Sequence, residues 1–122
     1  MLTANVLRMI ELILKQYLNS ALDVPVLFEH KAGTDVPFVI IEKTGGSESN
    51  HLKKATVAIQ SYGTSLYNAA LLNNQVVQAM DKFDEIENIT GAHLNSNYNY
   101  TDTETKNYRY QAVFDINYLQ EV

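Results

Sequence analysis

Apolar residues recur along this chain with two different periods, and the places where the period changes divide it into seven elements. From Thr3 to Ala21, Val6, Ile10, Ile13 and Tyr17 fall on one stripe with Met9 and Leu14 on its shoulders, while Arg8, Glu11, Lys15 and Asn19 take the opposite side. A repeat near 3.6 residues predicts an amphipathic helix. Thr3 or Asn5 offers a capping side chain at its start, and Pro25 stops it from running on. Leu12 falls off the stripe, with Asn5, Arg8, Gln16 and Asn19 as its helical neighbours. It is expected to face solvent, as single leucines often do, or another subunit.

The next segments change to strand character. Val24 to Glu29 is short and β-favouring, with Pro25 suited to an edge, and Lys31 to Asp35 reads as a turn around Gly33. Phe38 to Thr44 and Ala55 to Tyr62 are rich in β-branched and aromatic residues that pack well on a pleated surface. Between them runs Gly45-Gly46-Ser47-Glu48-Ser49-Asn50-His51-Leu52-Lys53-Lys54. Its length and polarity predict a mobile loop, not a tight turn.

A second helix is expected over about Ser65 to Phe83, with Thr64 and Ser65 as capping hydroxyls. Its apolar arc collects Ala69, Leu72, Val76, Met80 and Phe83, widened by Leu66, Ala70 and Val77. Asn73 lies within that arc, and a buried amide there requires a hydrogen-bond partner, at a cost of about 1–3 kcal/mol if it has none. Tyr67 and Leu71, one turn apart, fall on the polar side beside Asn74, Gln75 and Gln78, where the core of a monomer does not account for them. Asp84, Glu85 and Glu87 make the exit from the helix acidic.

The last third predicts two long strands around the polar turn Thr101 to Asn107. Ala92, Leu94, Tyr98 and Tyr100 share one parity, as do Tyr108, Tyr110, Ala112, Phe114, Ile116 and Tyr118. Such runs exceed the usual five or six residues, so part of this hairpin is expected to project beyond the body of the domain. The order is α-β-β-β-α-β-β over a single domain, residues 1–122. It predicts an α+β fold with a mostly antiparallel or mixed sheet of four to five strands and two helices on one face.

Composition narrows the function. At 46% hydrophobic and 19% charged, 122 residues suit one globular domain. The absence of cysteine removes disulfides, thiolate nucleophiles and cysteine-based zinc sites. Arg8, Glu11 and Lys15 interrupt the first helix, so neither a signal peptide nor a membrane span is expected, and synthesis in the cytoplasm is. The formal net charge is −5, and of the scattered basic residues only Lys53 and Lys54 are adjacent. Tight nonspecific nucleic-acid binding requires clustered cations that displace counterions, so no such grip is expected.

Reactive chemistry finds little support. His30, His51 and His93 lack metal-ligand spacing. Ser47 and Ser49 neighbour His51 only in sequence, on a segment too flexible to hold a nucleophile and its base. Gly45-Gly46-Ser47 leads into a strand, whereas a phosphate cradle opens a helix. Asp102 and Glu104 lack the glycine and terminal glutamate of a calcium loop. No catalytic, cofactor-binding or metal-binding residue is therefore expected, and the chain is expected not to be an enzyme.

The run Pro37-Phe38-Val39-Ile40-Ile41-Glu42-Lys43-Thr44-Gly45-Gly46-Ser47, a polar segment, and then Lys54-Ala55-Thr56-Val57-Ala58-Ile59-Gln60-Ser61-Tyr62-Gly63 resembles the tail completion or tail terminator proteins of long-tailed phages and prophages. The following Ser65-Leu66-Tyr67-Asn68-Ala69-Ala70-Leu71 matches that family's alanine- and leucine-rich helix. The resemblance implies a non-enzymatic ring, commonly a hexamer, at the head-proximal end of the tail of the virion, assembled in the host cytoplasm. Its implied partners are further copies of itself, the tail tube protein and head–tail connector proteins, with DNA passing through unbound and no membrane involved. It also implies that Gly45, Gly46, Ser47, Glu48, Asn50, His51, Lys53 and Lys54 form a lumen- or partner-facing loop. Glu48 and His51 make this loop less basic than is usual in the family, and Ser61-Tyr62 stands where a tryptophan is common.

Apart from the resemblance, Leu12, Tyr67 and Leu71, with Tyr108 and Tyr110 on the long hairpin, are the candidate contacts for neighbouring subunits. Two other readings compete: a head-side connector or neck subunit, and a small-ligand-binding regulatory domain whose pocket is lined by Tyr98, Tyr100, Tyr108 and Tyr110.

Overall fold

The computed structural model describes residues 10–30, 33–49 and 51–119. Helix α1 occupies Ile10–Ala21; the expected caps Thr3 and Asn5 and the stripe positions Val6 and Met9 lie outside the described residues. Ile10, Leu14 and Leu18 are almost wholly buried, and Leu22 continues their four-residue spacing. The buried line is thus one position away from the expected stripe, with Ile13 and Tyr17 half-buried beside it. The second helix explains the offset: Tyr17 turns sideways, packs on Phe83 at 5.2 Å between ring centroids, and donates its hydroxyl to the Ala79 carbonyl.

Five strands follow: β1 (Val26–Leu27), β2 (Phe38–Ser49), β3 (Leu52–Tyr62), β4 (Ile89–Asn99) and β5 (Arg109–Leu119), lying in the order β1-β2-β3-β5-β4. β1 runs parallel to β2, and every other neighbouring pair is antiparallel. Helix α2 (Leu66–Met80) connects β3 to β4. The fold is therefore the expected single-domain α+β arrangement with a mixed sheet. One sheet face, carrying Val39, Ile41, Val57, Ile59, Ala112, Phe114 and Ile116, shares a continuous core with both helices.

Ser65 caps α2 by accepting the Asn68 N–H at 3.1 Å, satisfying one of the first-turn donors that a helix leaves unpaired. Ala69, Leu72, Val76 and Met80 of the expected arc are buried, and Phe83 joins them from a short 3-10 turn, Phe83–Glu85, beyond the helix end. Ala70 and Val77 are only half-buried, and Leu66, expected to widen the arc, is exposed because it lies in the first turn, at the edge of the core. Asn73 is buried, and its Nδ2 donates to Asn97 Oδ1 on β4 at 2.6 Å, while its own Oδ1 has no partner among the described residues.

Three sequence expectations are corrected. The polar segment from Gly45 to Lys54 is not a loop: pairing continues from Gly45↔Thr56 to Ser49↔Leu52, and His51 is a turn residue; Asn50 lies outside the described residues. His51 takes the left-handed backbone conformation that such a turn requires. The segment looked like a loop because its side chains are solvated on both faces. What holds it is its backbone ladder to β3, which β5 supports from the other side.

The closing hairpin does not project either. β3 pairs with β5 at all eleven positions, from Leu52↔Leu119 to Tyr62↔Arg109. The third correction concerns β4, whose residues do not keep one parity. A bulge between Leu94 and Ser96 inserts Asn95, so Leu94 lies opposite Phe114 on the helix-covered face while Tyr98 lies opposite Gln111 on the other.

Candidate interaction surface

The face of the sheet turned away from the helices is where unusual side chains gather. Strand alternation places Phe38, Tyr62 and Arg109 in one transverse row, and Ile40, Gln60, Gln111 and Tyr98 in the next. In the first row His30, from the loop after β1, stacks on Phe38 at 5.1 Å, and Phe38 stacks on Tyr62 at 4.6 Å. The Arg109 guanidinium lies 5.7 Å from the Tyr62 ring centre and 4.6 Å from that of Tyr100, distances at which a cation is attracted to an aromatic face. Tyr98 meets Tyr100 edge-on at 5.9 Å.

Hydrogen bonds fix the same groups. Arg109 donates through Nε to the Tyr100 carbonyl at 2.7 Å and through Nη1 to the Tyr62 hydroxyl at 2.9 Å. Gln60 donates to Gln111 Oε1 at 2.8 Å, and Gln111 donates in turn to the Tyr98 hydroxyl. Each long side chain in this cluster is thus held by a neighbour, which reduces the entropy lost when a partner binds. Among the described residues no carboxylate forms an ion pair with Arg109. Asp102 senses it only weakly: its carboxyl is held below the usual aspartate range chiefly by the Thr105 hydroxyl, then by the Glu104 and Thr105 N–H groups, and least by Arg109.

The two inner members of the row, Phe38 and Tyr62, are buried, whereas Tyr98 and Tyr100 remain 41% and 42% exposed. The result is a rigid cationic and aromatic patch with a covered floor and an open rim. It is suited to bind an anionic group through charge-assisted hydrogen bonds and flanking rings. No protein-family model matches this chain, and no curated protein matches it.

The residues singled out from sequence are dispersed by the fold. Tyr67 is 73% exposed and Leu71 is also open, and with Leu66 they form an apolar strip on the outer side of α2. A shallow groove beside the strip is lined by Val24, Pro37, Thr64, Asn68, Leu71, Leu72 and Gln75. Leu12 is half-buried and so is a poorer contact than its helical position implied. Tyr108 and Tyr110 are half-buried too. Tyr110 pairs with Ser61 on the helix-covered face, opposite in sense to Tyr98. The four tyrosines therefore do not line one pocket, which overturns the arrangement required by the ligand-binding reading.

Gly45, Gly46, Ser47, Glu48, Lys53 and Lys54 lie on the paired arms of the β2–β3 hairpin and His51 lies at its tip, with Glu42 to Ser49 exposed throughout. His30 stacks in the aromatic row, and His93 sits opposite Asp115 on the open face. Among the described residues no three His, Asp or Glu side chains are grouped to hold a metal ion. Arg109 was invisible as a site in the sequence, where it is one scattered cation. Its setting depends on a cross-strand register and on the β4 bulge, and neither has a local signature.

Proposed function

We propose that this chain is a structural subunit of a long-tailed phage or prophage that forms a ring, a hexamer by analogy with the family it resembles. The ring caps the tail tube at its head-proximal end, stops tube polymerisation and supports joining to the head. It performs no catalysis, contacts the tube and connector proteins, and lets DNA pass without specific binding.

The observation that carries this reading is the resemblance of the run from Pro37 to Gly63. In the fold that run forms the β2–β3 hairpin, whose β2 arm is exposed on both faces from Glu42 to Ser49. A strand of that length with no core to cover on its outer half is explicable as a surface completed by other molecules. The exposed strip of Leu66, Tyr67 and Leu71 supports the same conclusion.

Deletion of the gene, with electron microscopy of the resulting particles, tests the reading. Overlong tails together with unjoined heads are expected. Normal virions would refute it.

A further inference from the structure

Arg109 is a cation without a carboxylate partner among the described residues, clamped between two aromatic rings and fixed by two hydrogen bonds. Clusters of arginine and tyrosine of this kind, with a desolvated base and an exposed rim, supply much of the affinity at protein interfaces. The same chain also presents the complementary charge. Asp84, Glu85 and Glu87 follow α2 in and just after the 3-10 turn, and all three are exposed.

The placement of these two features decides who can pair with whom. Arg109 is the first residue of β5, whereas the acidic turn leads into Asn88, whose carbonyl accepts the N–H of Leu119, the last residue of β5. Ten residue steps of extended strand separate the two ends, roughly 34 Å at about 3.4 Å per step. No side chain spans that distance, so the clamp and the acidic turn of one copy cannot meet. They can meet only between copies, one end of a molecule against the opposite end of the next. Contact of this head-to-tail kind is heterologous, and it closes into a ring when its rotation allows.

Resting on the ring reading above, we infer that the Arg109 clamp, with Tyr62, Tyr98 and Tyr100, docks the acidic turn Asp84–Glu85–Glu87 of a second copy of this chain. The arginine supplies a directional, charge-assisted bond to a carboxylate, and the two exposed tyrosines cover it from water. The occupant is a second copy because the chain is acidic overall and its clearest run of carboxylates lies at the end opposite the clamp.

The test is sedimentation velocity on the full chain over a concentration series, with Arg109→Glu, the pair Asp84→Lys/Glu85→Lys, and all three substitutions combined. Each of the first two is expected to weaken self-association at least tenfold. The combined variant, with charges exchanged, is expected to recover most of it. Mixing the two defective proteins is expected to restore association as well, because in an alternating assembly every junction joins opposite charges, native at one and exchanged at the next. The acidic-turn variant guards against local unfolding at Arg109, since its side chains are exposed.

A wild-type ring whose mass is unchanged in both defective variants would overturn the inference while leaving the tail function intact, as would a mixture that associates no better than either variant alone. A wild-type chain that stays monomeric at every concentration would also overturn it, and the deletion phenotype would still judge the tail function separately. If a fluorescent single-stranded oligonucleotide bound the wild type and lost affinity in Arg109→Glu, with self-association unaffected, the clamp would be a phosphate site and the inference wrong.

Discussion

Gly63 ends β3 where the chain turns into α2, and replacing it with alanine tests how tightly the helix is seated on the sheet. A Cβ built at this position would lie 2.5 Å from the Ala69 nitrogen, 2.9 Å from the Asn68 carbonyl carbon and 3.0 Å from the Ala69 Cα. All three are backbone atoms of the first helical turn, so no side chain can swing aside. Restoring ordinary contact would require the start of α2 to move by about 1 Å against a close-packed interior. Overpacking of this kind costs about 1–3 kcal/mol. At a urea dependence of about 1–3 kcal/mol/M, that corresponds to a midpoint lower by roughly 1 M with an unchanged slope. Gly45→Ala is the matched control, because a Cβ there meets nothing within 4 Å. Its effect is expected to be within about 0.5 kcal/mol, as for other surface changes. Equal midpoints for the two variants would refute the close approach of β3 to α2.

Three further outcomes follow from particular contacts. Ser65→Ala removes the oxygen that accepts the Asn68 N–H and is expected to cost about 1 kcal/mol in urea unfolding, with Ser65→Asp retaining most of the stability. Tyr67→Ser with Leu71→Ser is expected to leave stability within about 0.5 kcal/mol, because both side chains are exposed, while weakening self-association in sedimentation by roughly tenfold if the strip is a subunit contact. Asp102 accepts the N–H groups of Glu104 at 3.0 Å and Thr105 at 3.4 Å, and its carboxyl is held below the ordinary aspartate range. A group whose pKa is depressed by folding contributes stability at pH values above its unfolded pKa and loses it as pH falls through the folded one. The amide resonances of Glu104 and Thr105 should therefore shift together in an acid titration, with a midpoint below that of free aspartate. A midpoint at the free value would refute the carboxylate's role in the turn.

The sequence was most legible where one face of an element is dry and the other wet. The arc Ala69, Leu72, Val76 and Met80 and the alternation of Ala112, Phe114 and Ile116 each report one buried surface, and each was read correctly. Legibility failed where packing or pairing, not solvent, sets the arrangement. The choice between Ile13 and Leu14 as the centre of the α1 stripe depends on where α2 lies, which no local pattern encodes. The outer half of β2 has no buried face, so its strand character resides in backbone hydrogen bonds that its side chains do not advertise. The buried Asn73 announced its need for a partner, but Asn97, on a strand 24 residues away, could not be named.

The bulge at Asn95 carries most of what remained hidden. Upstream of it Leu94 lies opposite Phe114 on the helix-covered face; downstream the parity is reversed, so that Asn97 turns toward α2 and Tyr98 turns away. Without the extra residue Asn97 would turn to the opposite face, and the buried Asn73 Nδ2 would lose its acceptor. Tyr98 would enter the helix-covered face, where its hydroxyl would be separated from Gln111. One inserted residue thus serves two faces at once, giving the buried Asn73 Nδ2 its acceptor on one side and completing the tyrosine rim around Arg109 on the other. Bulges are suited to re-aiming side chains at sheet edges in this way. A device that costs a ladder position and is coupled to a buried hydrogen bond makes the open face a built surface, and not merely the leftover side of a sheet.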